Sequence, residues 1–286
     1  MNKSEPRNLE NILDGVKIPP APEILNNLNG ELQKDEPDMT RMAAIIQKDP
    51  GLSSLVIRTV NSPMFPLRSQ VTSIQQAISM LGIGYMINIV MGLVLRRTFE
   101  TQESALPGFW DSPTNIAMIM SQLSRKLTRL ASDEAYMLGL FHNVGHTLIR
   151  QRHTDYFAFF QQHLNHPDAS ITEFEQAQYN FDHATLGYFL ARSWGLPEDI
   201  CQAIRFHHEA LDLLDQGNVL DSDNRVPRLL ALLKLAEHID ALYQGRDHDH
   251  EWGRYASAVM QYLGLSEPDY QDIEADMLEM LQTEVR

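Results

Sequence analysis

The stretch EAYMLGLFHNVGHTLIR (residues 134–150) reads as a helix that carries a buried polar pair, His142-Asn143. The rest of the chain is organised around it. Downstream, further histidines stand where they could converge on that pair. Upstream lies a run of short helices that reads as an all-helical platform.

Residues 110–130 read as a helix with Ile116, Ile119, Met120, Leu123 and Leu127 inward. Residues 156–164 are aromatic-rich (Tyr156, Phe157, Phe159, Phe160), a stripe more typical of core or interface than of a cofactor box. His183 opens the helical pattern HATLGYFLARSW. Leu196-Pro197-Glu198-Asp199 starts another, which ends at His207-His208-Glu209. Residues 212–224 form a polar loop, and residues 228–243 an amphipathic helix. DHDHE (residues 247–251) reads as a solvated acidic loop that would bind metal only adventitiously, and residues 266–285 as a final surface helix.

Toward the N-terminus, residues 1–17 are polar and weakly patterned, an arm or a short helix. IPPAP (residues 18–22) fixes an extended entry, because successive prolines lock φ and remove donors. The next helix turns Ile24, Leu25, Leu28 and Leu32 to one face. Thr40 serves as N-cap for residues 41–48, whose inner stripe is Met42, Ile45 and Ile46. Asp49-Pro50 starts a third helix, with Asp as cap and Pro at the first helical position, carrying Leu52, Leu55, Val56 and Val60. Ser73 caps a fourth, in which Ile74, Ala77, Ile78 and Leu81 repeat before Gly82. Residues 83–99 are apolar almost all round and read as a central helix. No sustained alternation occurs anywhere, so the fold class is all-α.

Composition narrows the function classes. Hydrophobic residues make up 43% of the 286-residue chain and charged residues 21%, a globular balance with room for a sizeable core. A net charge of −15 argues against a nucleic-acid partner, which requires clustered Lys and Arg. The single cysteine, Cys201, permits no internal disulfide and fits a reducing cytoplasm; its apolar neighbours Ile200 and Ile204 mark it as a packed thiol. The N-terminal residues lack the apolar core of a secretion signal, and the apolar run at 83–95 falls short of the ~20 residues of a membrane span. The expectation is a cytoplasmic protein without membrane insertion.

At this point three pieces carry a family resemblance: IPPAP, IIQKDPGLSSLVIRTVNSPMF (residues 45–65) and SIQQAISMLG (residues 73–82). In order and spacing the chain resembles HDOD domains, relatives of the HD and HD-GYP metal-dependent phosphohydrolases in which catalytic residues are often missing. The resemblance runs from about residue 18 to 209, with a weaker continuation to about 242. It implies a helical N-terminal platform packed on an HD-like helical bundle and a role in bacterial signalling. The expected division is an arm at 1–17, the platform at 18–105, the HD-like bundle at 106–242, and an acidic loop with a helical tail at 243–286. The looser residues 101–108 mark the boundary.

An active HD site gathers imidazoles and carboxylates on one or two divalent ions. The carboxylate beside the histidine bridges the metals and keeps a bound water acidic. Carried over by resemblance, the first histidine's position falls at about Ser112, the His-Asp pair at His142-Asn143, the later histidines at His183 and His207-His208, and the distal aspartate at about Glu237. Glutamate is a tolerable exchange. Asn143 keeps an oxygen but loses the charge, and Ser112 offers no ligand of imidazole strength. Losing a charge in a low-dielectric site weakens cation binding by several kcal/mol.

The expectation is therefore a degenerate pocket with no metal and no cofactor. His142, His183, His207 and His208 are the weak metal candidates. The plainer reading of His142 and His183 is hydrogen-bonded interior histidine. His142 and His146, four apart, have the spacing of a metal clip but lack a carboxylate within the motif. There is no P-loop and no G-x-S-x-G, and Gly82-Ile83-Gly84 reads as a helix boundary.

Two functions follow. The first is a non-catalytic signalling module that binds a protein partner, such as a sensor kinase or another regulator, with a pocket that could hold a nucleotide-like or phosphate ligand; a lone module without an output domain acts through contacts. The alternative is a phosphohydrolase or phosphodiesterase acting on a nucleotide or cyclic dinucleotide, with Mn, Fe or Mg.

Overall fold

A computed structural model describes residues 15–62, 69–100, 108–163, 170–216, 225–246 and 250–284, and among these no strand occurs. The arm up to residue 14, the connection at 101–107, and residues 217–224 and 247–249 lie outside the described residues, as do the last residues of the N-S-P-M-F motif.

The platform is a set of short helices started by local caps. Pro22, extended at φ −55° and ψ 148°, hands the chain to α1 (Glu23–Leu32), which buries Leu25 and Leu28. Leu32, expected on that inner face, is exposed. Helix α2 (Met39–Gln47) is capped not by Thr40 but by Asp38, whose carboxylate accepts from the backbone of Thr40 and Arg41 at 2.8 and 3.2 Å. A charged acceptor at the positive end of the helix dipole prevails over a hydroxyl two residues later. Asp49 caps α3 (Pro50–Val60), accepting from Leu52 at 3.0 Å, as its sequence indicates. Ser73 caps α4 (Ile74–Leu81) through Gln76. Gly82, at φ 86°, turns the chain into α5 (Ile83–Phe99), which buries Ile89, Val90, Leu95 and Phe99 on several faces and is central to the platform.

The second half is built from α6 (Asp111–Leu127), α7 (Ser132–Phe141), α8 (Gly145–Arg152), α9 (Tyr156–His163), α10 (Ile171–Tyr179), α11 (His183–Ser193) and α12 (Glu198–Phe206). A 3₁₀ turn (His207–Glu209) follows, then α13 (Ala210–Gln216), α14 (Arg225–Tyr243), α15 (His250–Leu263) and α16 (Glu267–Glu284). Helix α5 packs on α7 and joins the platform to this bundle through one continuous apolar core.

Four expectations are corrected here. Residues 134–150 are not one helix: α7 stops at Phe141, the chain turns through His142, Asn143 and Val144, and α8 restarts at Gly145. The turn sets Gly145 against the start of α11, where an added Cβ would lie 1.9 Å from the carbonyl oxygen of His183. Tertiary packing overrides local helix propensity at that point. Residues 212–216, expected as loop, belong to α13. Helix α14 is not amphipathic: it is buried almost all round, because α6, α7, α12, α15 and α16 surround it. Helix α16 is more than a surface tail, since Ile273, Met277 and Leu281 bury a stripe against the bundle.

Candidate functional site

Three histidines have their ring orientation fixed by what their Nδ1 atoms meet. His142, the C-cap of α7, places Nδ1 2.7 Å from the Gly139 carbonyl, and His207, in the turn after α12, places its own 2.7 Å from the Ile204 carbonyl. A carbonyl only accepts, so both rings carry their proton on Nδ1 and turn a bare Nε2 inward. His183 opens α11, where Asp182 is the N-cap. Its Nδ1 lies 2.7 Å from Oε2 of Glu175, and its backbone N–H donates to the same oxygen at 2.8 Å.

The inward nitrogens converge. His183 Nε2 lies 3.3 Å from His207 Nε2 and 3.0 Å from His208 Nε2. Burial pushes His142 down to about 3, takes His207 well below its ordinary 6.5, and lowers His183 although Glu175 opposes it. These rings are neutral at pH 7, and lone pairs held this close repel unless a proton or a metal ion sits among them.

A second layer holds His183. Glu175 is fully buried and also accepts from the Tyr156 hydroxyl, which meets Nδ1 of His146. The His146 ring stacks on His183 with centroids 3.8 Å apart. His146 therefore belongs to this layer, and because one helix ends at Phe141 and the next restarts at Gly145 the two do not share the single helix that an i,i+4 clip needs. Burial alone would raise the Glu175 carboxyl, but His183 and His146 more than offset it and hold it well below 4.5.

On the other side of the histidines lies an ion cluster around a buried lysine. Lys234, only 3% exposed, sets its ammonium 2.9 Å from Glu237 Oε2 and 2.8 Å from Glu251 Oε1, and 4.9 Å over the Tyr255 ring. Glu237 Oε1 lies 3.6 Å from His142 Nε2, and Glu251 Oε1 lies 3.6 Å from His208 Nδ1. Burial raises the Glu237 carboxyl against the pull of Lys234; Glu251, where the same lysine and His208 prevail over burial, is lowered. Glu251 was expected in a solvated loop. It stands instead in the first turn of α15 and closes the pocket.

The structure thus brings His142, His183, His207, His208 and Glu237 together. Of these, His208 and Glu237 line a cavity of about 410 Å³ together with Ser112 and Asn143, and its walls include Phe109, Phe160 and Trp252; His142, His183 and His207 are buried behind it. Ser112 is tied elsewhere: its Oγ donates to Asp240 Oδ2 at 2.5 Å, while Asn115 donates to the other oxygen at 2.8 Å. Sequence reasoning missed Glu175, Lys234, Asp240 and Glu251. Of these only Asp240 carried a signal, being one helical turn beyond Glu237.

Two metal ions do not fit this donor set, because the position that the family resemblance assigns to the bridging carboxylate holds the neutral amide of Asn143 and the adjoining carboxylates already hold an ammonium. A single ion does fit. His183, His207 and His208 present nitrogens that all lie within 4.8 Å of one another, and the Nδ1 of each faces an oxygen, the arrangement that orients imidazole ligands.

The family model of the HDOD domain matches residues 18–210. An uncharacterized protein of Treponema pallidum is 22% identical over 196 residues, 67% of this chain and 37% of its own length. The fold is shared by solved structures, among them three from Geobacter, Shewanella and Marinobacter. An HDOD domain protein of unknown function from Geobacter sulfurreducens (20% identity, TM-score 0.69) aligns over 96% of this chain and 94% of its own. A candidate phosphohydrolase from Shewanella amazonensis (20%, TM-score 0.68) covers 96% and 97%. A candidate signal transduction protein from Marinobacter aquaeolei (21%, TM-score 0.69) covers 96% and 59%. The chain thus spans little more than a third of the Treponema protein and under two thirds of the Marinobacter one.

Proposed function

The chain belongs to the HDOD domain family, and from that premise we propose that it is a non-catalytic regulatory module acting through contacts with a protein partner. The supporting observation is the pair Asn143 and Lys234: an amide stands where a bridging carboxylate is needed, and an internal ammonium holds the two carboxylates that remain nearby. A hydrolytic site of the HD type depends on a metal-activated water, and without a bridged metal pair its acidity is lost. The name carried by the Marinobacter structure points the same way. The partner class we assign is a signalling protein, a sensor kinase or another regulator. The aromatic walls beside Lys234 and Arg246 suit a nucleotide-like or phosphate ligand held without cleavage. No helix among the described residues is long and apolar enough to cross a membrane. We place the protein in the cytoplasm, where its single buried thiol, pushed up to about 12 mainly by burial, would stay reduced and inert.

The second reading, a metal-dependent phosphodiesterase acting on a nucleotide or cyclic dinucleotide, is favoured by the convergence of three imidazole nitrogens. Untagged protein assayed with bis-p-nitrophenyl phosphate in Mn²⁺, Fe²⁺ or Mg²⁺ separates the two. The expected outcome is no turnover above buffer. Turnover abolished by His183→Ala would establish the second reading and overturn the first.

A further inference from the structure

Lys234 has a position that an ordinary structural ion pair does not need. Its ammonium is buried, lies within 3 Å of carboxylates from two different helices, and faces an aromatic ring. Glu237 turns one oxygen to the ammonium and the other toward His142, and Glu251 sets a single oxygen, Oε1, between the ammonium and His208. The cluster lines a cavity of about 410 Å³, ample for an ion with several waters at roughly 30 Å³ each. Two carboxylates in reach of imidazoles beside such a cavity are a ligand set for a hard or borderline divalent cation. The cation actually present is carried by the chain itself.

We propose that the Lys234 ammonium is a tethered cation filling the place of a second metal ion, so that the site takes one exchangeable divalent ion, at His183, His207 and His208 on the inner side of the cavity, and no more. The count in the unaltered protein rests on the single-ion fit described above. The difference between variants rests on Lys234 alone.

Equilibrium dialysis of chelator-stripped full-length protein against Co²⁺, which accepts nitrogen and oxygen donors, tests it, with elemental analysis and the cobalt visible spectrum as readouts. The unaltered protein is expected to bind one ion per chain, Lys234→Gln two, and Lys234→Arg one. Adding Glu251→Gln to Lys234→Gln should bring the count back to one. Equal counts in the unaltered protein and Lys234→Gln would overturn the proposal, as would two ions in the unaltered protein. No ion in the unaltered protein and one in Lys234→Gln would sustain the role of Lys234 while removing the three-histidine site. Lys234→Gln leaves two neighbouring carboxylates without the ammonium between them, so it is expected to melt earlier without metal and to recover on adding Co²⁺. A variant that stays unfolded with Co²⁺ present counts against the proposal.

Discussion

His183 and Glu175 share one carboxylate oxygen between a ring nitrogen and a backbone N–H, at 2.7 and 2.8 Å, in a fully buried contact. Glu175 thereby fixes both the start of α11 and the direction in which His183 presents Nε2. Removing its charge while keeping its shape tests this. Glu175→Gln is expected to cost about 3 kcal/mol of stability, the scale for breaking a buried charge-assisted network. Any affinity of the three histidines for Co²⁺ should fall roughly ten- to a hundredfold, as for other partners of imidazole ligands. Urea titration and cobalt binding check the two effects separately.

Stability should fall on mild acidification. His142, His183 and His207 are all lowered from an ordinary 6.5, chiefly by burial. Their contribution is therefore complete above about pH 6.5 and is lost as pH falls toward the depressed folded values, since the unfolded chain takes up the protons first. Each pH unit in that window costs about 1.4 kcal/mol per histidine that stays neutral. Glu237 and Asp240, both raised by burial, act in the opposite sense and flatten the slope. Unfolding free energy measured at pH 7.5, 6 and 5 should decline, and the decline should steepen in Glu237→Gln.

Gly145 is the narrowest point between α8 and α11. A Cβ there would meet backbone, the His183 carbonyl oxygen at 1.9 Å, rather than the yielding end of a side chain. Gly145→Ala is expected to cost about 3 kcal/mol or more, with α11 and its histidine displaced. Gly253→Ala, at an exposed helical position with open space around it, should be neutral or slightly stabilising. Thermal melts of the two variants provide the comparison.

The starts of α3 and α4 were legible because a cap is a local event: Asp49 and Ser73 bond to backbone three residues on. The histidine set was legible only through the family resemblance. Glu175 was not, since a glutamate within the polar stretch ITEFEQAQY (residues 171–179) carries nothing that marks it as buried; only the docking of α10 beside α11 does so. The ion cluster was hidden for a similar reason, because Lys234 and Glu251 sit on separate helices and each resembles a solvated residue in its own segment. The turn at Asn143 was hidden too, being imposed by the contact of Gly145 with α11.

Replacing Asn143 by aspartate restores a charge beside the cavity but leaves Lys234 in place. At an effective dielectric of about 20, a unit charge some 5 Å from a cation is worth about 3 kcal/mol before screening and desolvation. Asn143→Asp is thus expected to tighten Co²⁺ binding at the three histidines by at least about tenfold. Ser112→His should add less, because it removes a donor from Asp240, which is otherwise engaged by Asn115 and Gln244, and that carboxylate will compete with the pocket for the new imidazole. With Lys234 unchanged, the double variant is expected to gain affinity without hydrolysing bis-p-nitrophenyl phosphate. Turnover appearing in the double variant alone would mean that the ammonium does not obstruct a working site, and that the missing carboxylate and the missing histidine together were the barrier to catalysis.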